Sequence, residues 1–345
     1  SEGKSWRSRA KVEKRNLNQW FLRITDYAEP LLQDLKKLNH WPERVVRMQK
    51  NWIGRSSGVE IDFKVDHQQN LILTVFTTRP DTLYGATYIV LSPENIIIDQ
   101  IIDESLISDL KKYRDTISKL SSLERSSEGR DCIGMPIGIE VINPINSKSI
   151  PIWIADYVLP DYGSGAVMAV PAHDERDYKF AMKYKLPINT VVLKNSSDVP
   201  KEECKPWTGN GILINSDNLS GLSTEEAKTK VTNIGKAEGW ARKKIQYRLR
   251  DWLISRQRYW GCPIPIIHCK KCGQVPIPKH DLPIELPKNV KLNVKGKSPL
   301  NNLDEWSNVL CPSCGLEAKR ETDTMDTFMC SSWYFFRFAD PKNTK

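Results

Sequence analysis

No stretch of this chain approaches the apolar length needed to cross a bilayer, and Ser1-Glu2-Gly3-Lys4 does not read as a secretion signal, so no membrane partner is expected. Internal repeats are missing, and Ser121-Ser122-Leu123-Glu124-Arg125-Ser126-Ser127 reads as a polar loop rather than a low-complexity tract. Within residues 58–245 an activated nucleophile is missing as well: Thr82 has no base beside it in the sequence, and the motifs there hold no Cys-His pair. There is no initiator Met, and the last residues, Pro341-Lys342-Asn343-Thr344-Lys345, end abruptly; we expect an internal piece of a longer protein.

What is present fits two or three domains with sizeable cores: 345 residues, 39% hydrophobic and 27% charged. A net charge of +9 suits a polyanionic partner, although solubility alone explains a charge of that size as well. Four of the eight cysteines form Cys269-Lys270-Lys271-Cys272-Gly273 and Cys311-Pro312-Ser313-Cys314-Gly315. Each Cys-x-x-Cys-Gly turn supplies half of a tetrahedral zinc shell, so Cys269, Cys272, Cys311 and Cys314 are read as ligands of a structural zinc in a reducing compartment. The plainer reading is four reduced thiols left from a degraded site, because the gap between the knuckles exceeds the usual ribbon spacing.

Along the chain, apolar residues from Leu17 to Leu38 recur at steps of three and four and predict an amphipathic helix that Pro30 breaks or restarts. A second helix is predicted to start at Pro42, with Val45, Val46 and Trp52 on one face and Arg44, Arg47 and Lys50 on another. That basic face reads as solvated surface or as a phosphate contact. Val59 to Val65 and Leu71 to Val75 alternate on either side of a turn and predict a β-hairpin. Further strands are expected over 138–142, 150–154, 166–170 and 188–193, and helices over 93–119, 174–185 and 224–239. Many short strands with few helices predict a β-rich, barrel-like α+β domain.

Two segments stand out. Thr77-Thr78-Arg79-Pro80-Asp81-Thr82-Leu83-Tyr84-Gly85 closes a predicted strand with hydroxyls, a guanidinium and a carboxylate, and Pro80 stiffens it. Such a rim can hydrogen-bond a small polar substrate; an ordinary turn is the plainer reading. The other segment runs from Tyr162-Gly163-Ser164-Gly165 through Met168-Ala169-Val170-Pro171-Ala172-His173-Asp174-Glu175-Arg176-Asp177-Tyr178. Asp174 can cap a helix with Asp177 at its third position. Met168 and Val170, two apart on a strand, share a face and by residue type favour a core. His173 reads equally as a base or as a structural residue of a helix-start loop.

Together these two segments resemble the editing site of leucyl-tRNA synthetases. The isoleucyl and valyl enzymes carry Trp where this chain has Asp81, and they lack the Ala172 to Asp177 run. The resemblance implies a pocket that hydrolyses mischarged tRNA and excludes leucine sterically. It answers a physical need, since an apolar pocket discriminates one methylene by only about 1–3 kcal/mol. On this likeness Asp177, with Asp174 near it, takes the substrate α-ammonium, and Thr82 blocks leucine. Met168 and Val170 extend that wall, while Thr77, Thr78, Arg79 and Tyr162 address the ester and the terminal ribose. Asp81 and His173 complete the substrate-binding set. The expected mechanism is attack by a positioned water, helped by the substrate's ribose hydroxyl, with no covalent intermediate.

Gln19-Trp20-Phe21-Leu22-Arg23-Ile24-Thr25-Asp26-Tyr27-Ala28, Asn51-Trp52-Ile53-Gly54-Arg55 and Ser255-Arg256-Gln257-Arg258-Tyr259-Trp260-Gly261 resemble the synthetic domain of the same family. So does the motif from Glu321 to Phe335, at the amino-acid and adenylate pocket; Cys330 stands where some members have an acidic residue. The implied organisation is residues 1–57 as helical synthetic domain, 58–245 as editing domain, and 246–345 as return to a class I, Rossmann-type α/β catalytic domain. A zinc-ribbon-like insertion is expected over 269–314. The whole enzyme would join leucine to tRNA(Leu) using ATP and magnesium, as a monomer, in bacterial cytoplasm or an organellar stroma or matrix. Neither the His-Ile-Gly-His-type nor the Lys-Met-Ser-Lys-Ser-type signature occurs here, so this chain alone is not expected to aminoacylate. The alternatives are a catalytically silent RNA-binding fragment and an isoleucyl- or valyl-type editing fragment.

Overall fold

The computed structural model describes residues 4–5, 9, 17–66, 71–120, 122–125, 127, 130–160, 163–195, 205–288, 290 and 298–343. It divides into two compact units, one of residues 1–15 and 54–248, the other of 16–53 and 249–345.

The first unit is built on a seven-stranded mixed sheet. Its strands are β1 (Arg55–Val65), β2 (Ile72–Thr77), β3 (Tyr88–Leu91), β4 (Gly134–Ile142), β5 (Ser149–Ala155), β6 (Ala166–Ala169) and β7 (Ala241–Tyr247). The path runs β7-β1-β4-β5-β3-β6, with β2 also paired to β1. The β1–β2 hairpin has the register expected from alternation, with Ile61 opposite Val75 and Phe63 opposite Leu73, all four side chains buried. β3 and β5 are parallel, and every other pair is antiparallel.

The barrel-like expectation is met by an open sheet. β6 comes beside β2, and Ser164 Oγ donates to the Thr74 carbonyl, but no ladder among the described residues joins the two strands. The physical reason lies in β1: β7 and then β4 pair with successive stretches of one edge, while β2 takes the other. Both edges of β1 are thereby taken, and among the described residues no ladder closes between β2 and β6.

Among the described residues, three helices of ten or more residues accompany the sheet: α1 (Ile107–Ile117), α2 (Glu175–Tyr184) and α3 (Thr224–Glu238). α3 starts with a full capping box between Ser223 and Glu226 and ends at Gly239 in the left-handed conformation. The expected strand over 188–193 shrinks to Val192–Leu193, paired with Ile212–Leu213.

The second unit departs most from expectation near its start. Phe21–Leu22 pair with Trp252–Leu253 as a short strand instead of opening a helix. A helix follows at Ala28–Asp34 with Pro30 in its first turn, where the missing N–H has no helical partner to lose. The next helix, Glu43–Ile53, starts after Pro42, but Trp52 is 71% exposed rather than packed with Val45 and Val46. Farther on, β8 (Ile266–Cys269), β9 (Gly273–Pro276), β10 (Asn308–Leu310) and β11 (Glu317–Arg320) form a small antiparallel sheet in the order β9-β8-β11-β10. No helix among the described residues is long and apolar enough to cross a membrane.

Candidate editing site and cysteine cluster

Antiparallel pairing of β3 with β6 sets Tyr88 opposite Ala169 and Leu91 opposite Ala166. The segment entering β3 and the segment leaving β6 therefore lie at the same end of neighbouring strands. The first is the Thr77–Gly85 rim and the second is the turn into α2. Thr87 N–H donates to the Ala169 carbonyl at this junction.

The rim is stiff because it satisfies itself. Pro80–Gly85 form a 3-10 turn, and the Thr82 amide and hydroxyl both donate to the Arg79 carbonyl. Thr77 Oγ1 accepts from the Arg79 amide at 3.0 Å. Arg79 reaches Asp81 through Nε and Nη2, the latter at 2.8 Å, with the Asp81 side chain fully buried and that of Arg79 22% exposed. Its Nη1 donates to the Thr208 carbonyl. Thr82 is buried, Thr77 half-buried and Thr78 exposed. Gly85 is required by close approach: a Cβ there would stand 2.8 Å from Val191 Cγ2.

Asp174 caps α2, its carboxylate accepting from the Arg176 and Asp177 amides, which places Asp177 third in the helix. Asp177 is only 6% exposed. Its Oδ1 accepts from Tyr157 Oη and its Oδ2 from Val170 N–H, both at 2.9 Å, and Tyr88 Oη donates to its carbonyl. Burial, then the nearby Asp174 carboxylate, pushes the Asp177 carboxyl up to about 7 against the pull of those donors. Arg176 sits 5.9 Å over the Tyr157 ring and 3.6 Å from Asp174.

His173 is buried with both ring nitrogens occupied. Nε2 accepts from the Val191 and Val192 amides, which leaves the proton on Nδ1 to donate to the Trp207 carbonyl. Burial lowers its pKa and keeps the ring neutral. The geometry suits a strut for the loops rather than a base or a substrate ligand. His173 and Arg79 bind adjacent carbonyls, Trp207 and Thr208, so this segment ties the two halves of the site together.

Met168 and Val170 belong to the larger core with Leu83, Ile89 and Ile152. Ala169 and Tyr88 join Tyr157 and Phe180 in the smaller core. The strand thus divides the candidates: the wall residues pack on one face, while the Asp177 carboxyl is held at the strand end beside the tyrosines of the other. Tyr162 lies outside the described residues. Sequence reasoning missed Tyr157, Tyr88 and Trp207; the first two sit in plain strand-and-turn context, and nothing local marks Tyr157 as a partner of the Asp177 carboxylate 20 residues away or Tyr88 as a partner of its backbone carbonyl 89 residues away.

In the second unit, the sulfurs of Cys269, Cys272, Cys311 and Cys314 lie within 4.8 Å of one another, so the four-cysteine cluster can hold a metal ion. The Cys272 amide donates to Cys269 Sγ and draws that thiol down to about 7, while the hydrogen-bonded Cys314 sulfur pushes the Cys272 thiol up. The landmark run at 255–260 is tied internally: Arg256 pairs with Asp326, Gln257 Nε2 donates to Asp323, and Tyr259 Oη donates to the Pro287 carbonyl.

Comparison with known proteins places this geometry. Residues 50–236 match the model "Leucyl-tRNA synthetase, editing domain", and residues 213–345 match "tRNA synthetases class I (I, L, M and V)". Similar curated proteins include Leucine--tRNA ligase of Prochlorococcus marinus (strain MIT 9303), 58% identical over 344 residues. That of Synechococcus sp. (strain CC9605) is 57% identical over 344 residues. In both cases the match covers 100% of this chain and 39% of the relative, so the chain spans about two fifths of the length of these proteins. A crystal structure of Agrobacterium radiobacter K84 agnB2 LeuRS, in a ternary complex with tRNA and LeuAMS, is similar with a TM-score of 0.81 and 40% identity. It matches over 99% of this chain and 39% of that one. The chain belongs to the leucyl-tRNA synthetase editing-domain family.

Proposed function

We propose that this chain hydrolyses the ester bond of mischarged tRNA(Leu), and that the whole protein joins leucine to tRNA(Leu) with ATP and magnesium. One observation carries the reading: the β3–β6 pairing that delivers the Thr77–Thr82 rim and the Asp174–Asp177 helix start to one strand end. The Asp177 carboxylate has lone pairs beyond the two engaged by Tyr157 and Val170, and an α-ammonium is the partner that favours its ionised form. Thr77, Thr78 and Arg79 hydrogen-bond the ester and the terminal ribose, with Asp81 fixing the guanidinium. Thr82, backed by Met168 and Val170, limits side-chain depth. A water positioned against this rigid rim adds to the ester carbonyl; the ribose oxygen leaves, giving free amino acid and intact tRNA.

In this reading residues 58–245 are the editing domain, and 1–57 and 246–345 belong to the synthetic domain, with the protein working as a monomer in a bacterial cytoplasm or an organelle. Zinc on Cys269, Cys272, Cys311 and Cys314 is structural: four thiolates close its tetrahedral shell and tie β8 to the turn after β10. The test is release of isoleucine or valine from mischarged tRNA(Leu), by this chain and by Asp177→Ala. Faster release than in buffer, lost in the variant, is the expected result. Binding of tRNA without release would instead support the silent RNA-binding reading.

A further inference from the structure

Two of the cysteines outside the editing site and the four-cysteine cluster, Cys262 and Cys330, face each other. Cys262 follows the Tyr259-Trp260-Gly261 landmark, and Cys330 lies in α4 (Thr327–Ser331). Both are exposed, and their sulfurs stand 3.2 Å apart across 68 residues of chain. A disulfide is about 2.0 Å long, so closing the pair takes a movement of about 1 Å.

Both partners are held through the Thr324–Asp326 segment. The Met325 amide donates to the Cys262 carbonyl at 2.7 Å, Pro263 bridges to Thr324, and Gly261 packs so closely that a Cβ would meet the Met325 carbonyl oxygen at 2.6 Å. On the other side, the Asp326 amide donates to the Ile254 carbonyl at 2.7 Å. Its carboxylate caps α4 through the Phe328 amide and pairs with Arg256. The two thiols are thus presented to each other by backbone anchors, which raises their effective concentration above that of any dissolved thiol.

We propose that Cys262 and Cys330 form a reversible intramolecular disulfide, making them a thiol-oxidation site whose reagent is a small-molecule disulfide such as oxidised glutathione. One cysteine loses its proton, and its thiolate attacks the glutathione disulfide, breaking that S–S bond and releasing one glutathione thiol. The second cysteine thiolate attacks the protein sulfur of the mixed disulfide, forming the Cys262–Cys330 bond and releasing the second glutathione thiol. Two electrons pass from the protein dithiol to glutathione disulfide, and a dithiol reductant reverses the exchange. The bond fastens α4 to the segment at Cys262, whose carbonyl already accepts from the Met325 amide.

The test treats the 345-residue chain, loaded with zinc, with oxidised glutathione, blocks remaining thiols and maps peptides without reduction. The expected result is one linked pair of peptides carrying Cys262 and Cys330, loss of two reactive thiols, no retained glutathione, and full reversal by dithiothreitol. Cys262→Ser should abolish the link and leave Cys330 with one bound glutathione; Cys330→Ser should do the converse at Cys262. Because both side chains are exposed, serine at either position leaves packing intact, and an unchanged circular dichroism spectrum checks this. Glutathione retained on both cysteines without a link, links reaching Cys269 or Cys311 instead, or no reaction at either thiol would overturn the proposal.

Discussion

Asp177→Asn separates a carboxylate that waits for a cation from one that only ties a helix to a strand. In the folded protein the Asp177 carboxyl ionises near 7, against an ordinary 3.8, chiefly because it is buried. That gap of about 3 pH units corresponds to about 4 kcal/mol favouring the protonated form. The folded state therefore binds this proton more tightly than the unfolded state does. The contribution of Asp177 to stability is fully present below about pH 4, declines as pH rises toward 7, and is flat above that. Asparagine keeps the shape and both hydrogen bonds, with its carbonyl accepting from Val170 N–H and its amide donating to Tyr157 Oη, but it cannot ionise. Urea unfolding of both proteins in steps from about pH 4 to 8 should then show a difference that grows in favour of Asn, by about 1.4 kcal/mol per pH unit inside the window. In the deacylation assay, kcat/KM of the parent chain should rise toward a plateau as pH passes about 7, because the carboxylate is the binding form. Asn should abolish activity at every pH. Parallel stability curves would refute the protonated carboxyl, and full activity in Asn would reduce Asp177 to a structural tie.

Other perturbations address the rest of the site. Thr82→Ala removes part of the barrier to leucine, so the variant should release leucine from correctly charged tRNA(Leu) faster than the parent chain, as read by deacylation of leucyl-tRNA. Asp81→Ala strands the Arg79 guanidinium beside a fully buried position and should destabilise the chain by about 3 kcal/mol in urea unfolding, the lower end for a broken buried pair because Arg79 reaches solvent. Removing zinc with a chelator should lower the melting temperature of the second unit, while Cys311→Ser should prevent stoichiometric zinc uptake in metal analysis.

The parts of the fold legible from sequence are those in which local pattern and tertiary packing agree. The β1–β2 hairpin follows from alternation, because slipping Val59 to Val65 by one residue would turn Ile61 and Phe63 away from the core. The start of α2 follows from Asp174, whose side chain meets two otherwise unpaired amides. Elsewhere distant partners override local signals. Phe21 and Leu22 fit a helical period, yet they gain a strand partner in Trp252–Leu253, more than two hundred residues away. The open sheet was illegible for a related reason: strand count and strand length say nothing of β1 dividing one edge between β7 and β4.

The site shows the same boundary more sharply. The types of residue it needs were readable, because a Pro-stiffened run of hydroxyls and a helix-start carboxylate are local features. What each side chain is tied to was not. His173 in sequence can equally be a base or a strut, and only the two amides converging on Nε2 and the carbonyl at Nδ1 make it the latter. Asp177 in sequence is an acidic residue in a first helical turn, where the dipole favours ionisation. In the fold, burial and then the nearby Asp174 carboxylate outweigh that dipole and push the Asp177 carboxyl up to about 7. The Tyr157 hydroxyl works the other way: its hydrogen bond favours the carboxylate, and no spacing rule connects the two residues. Tyr157→Phe removes one donor to the carboxylate while preserving the ring. It should therefore raise the midpoint of the kcat/KM profile above that of the parent chain, and an unmoved midpoint would exclude the tyrosine from that role.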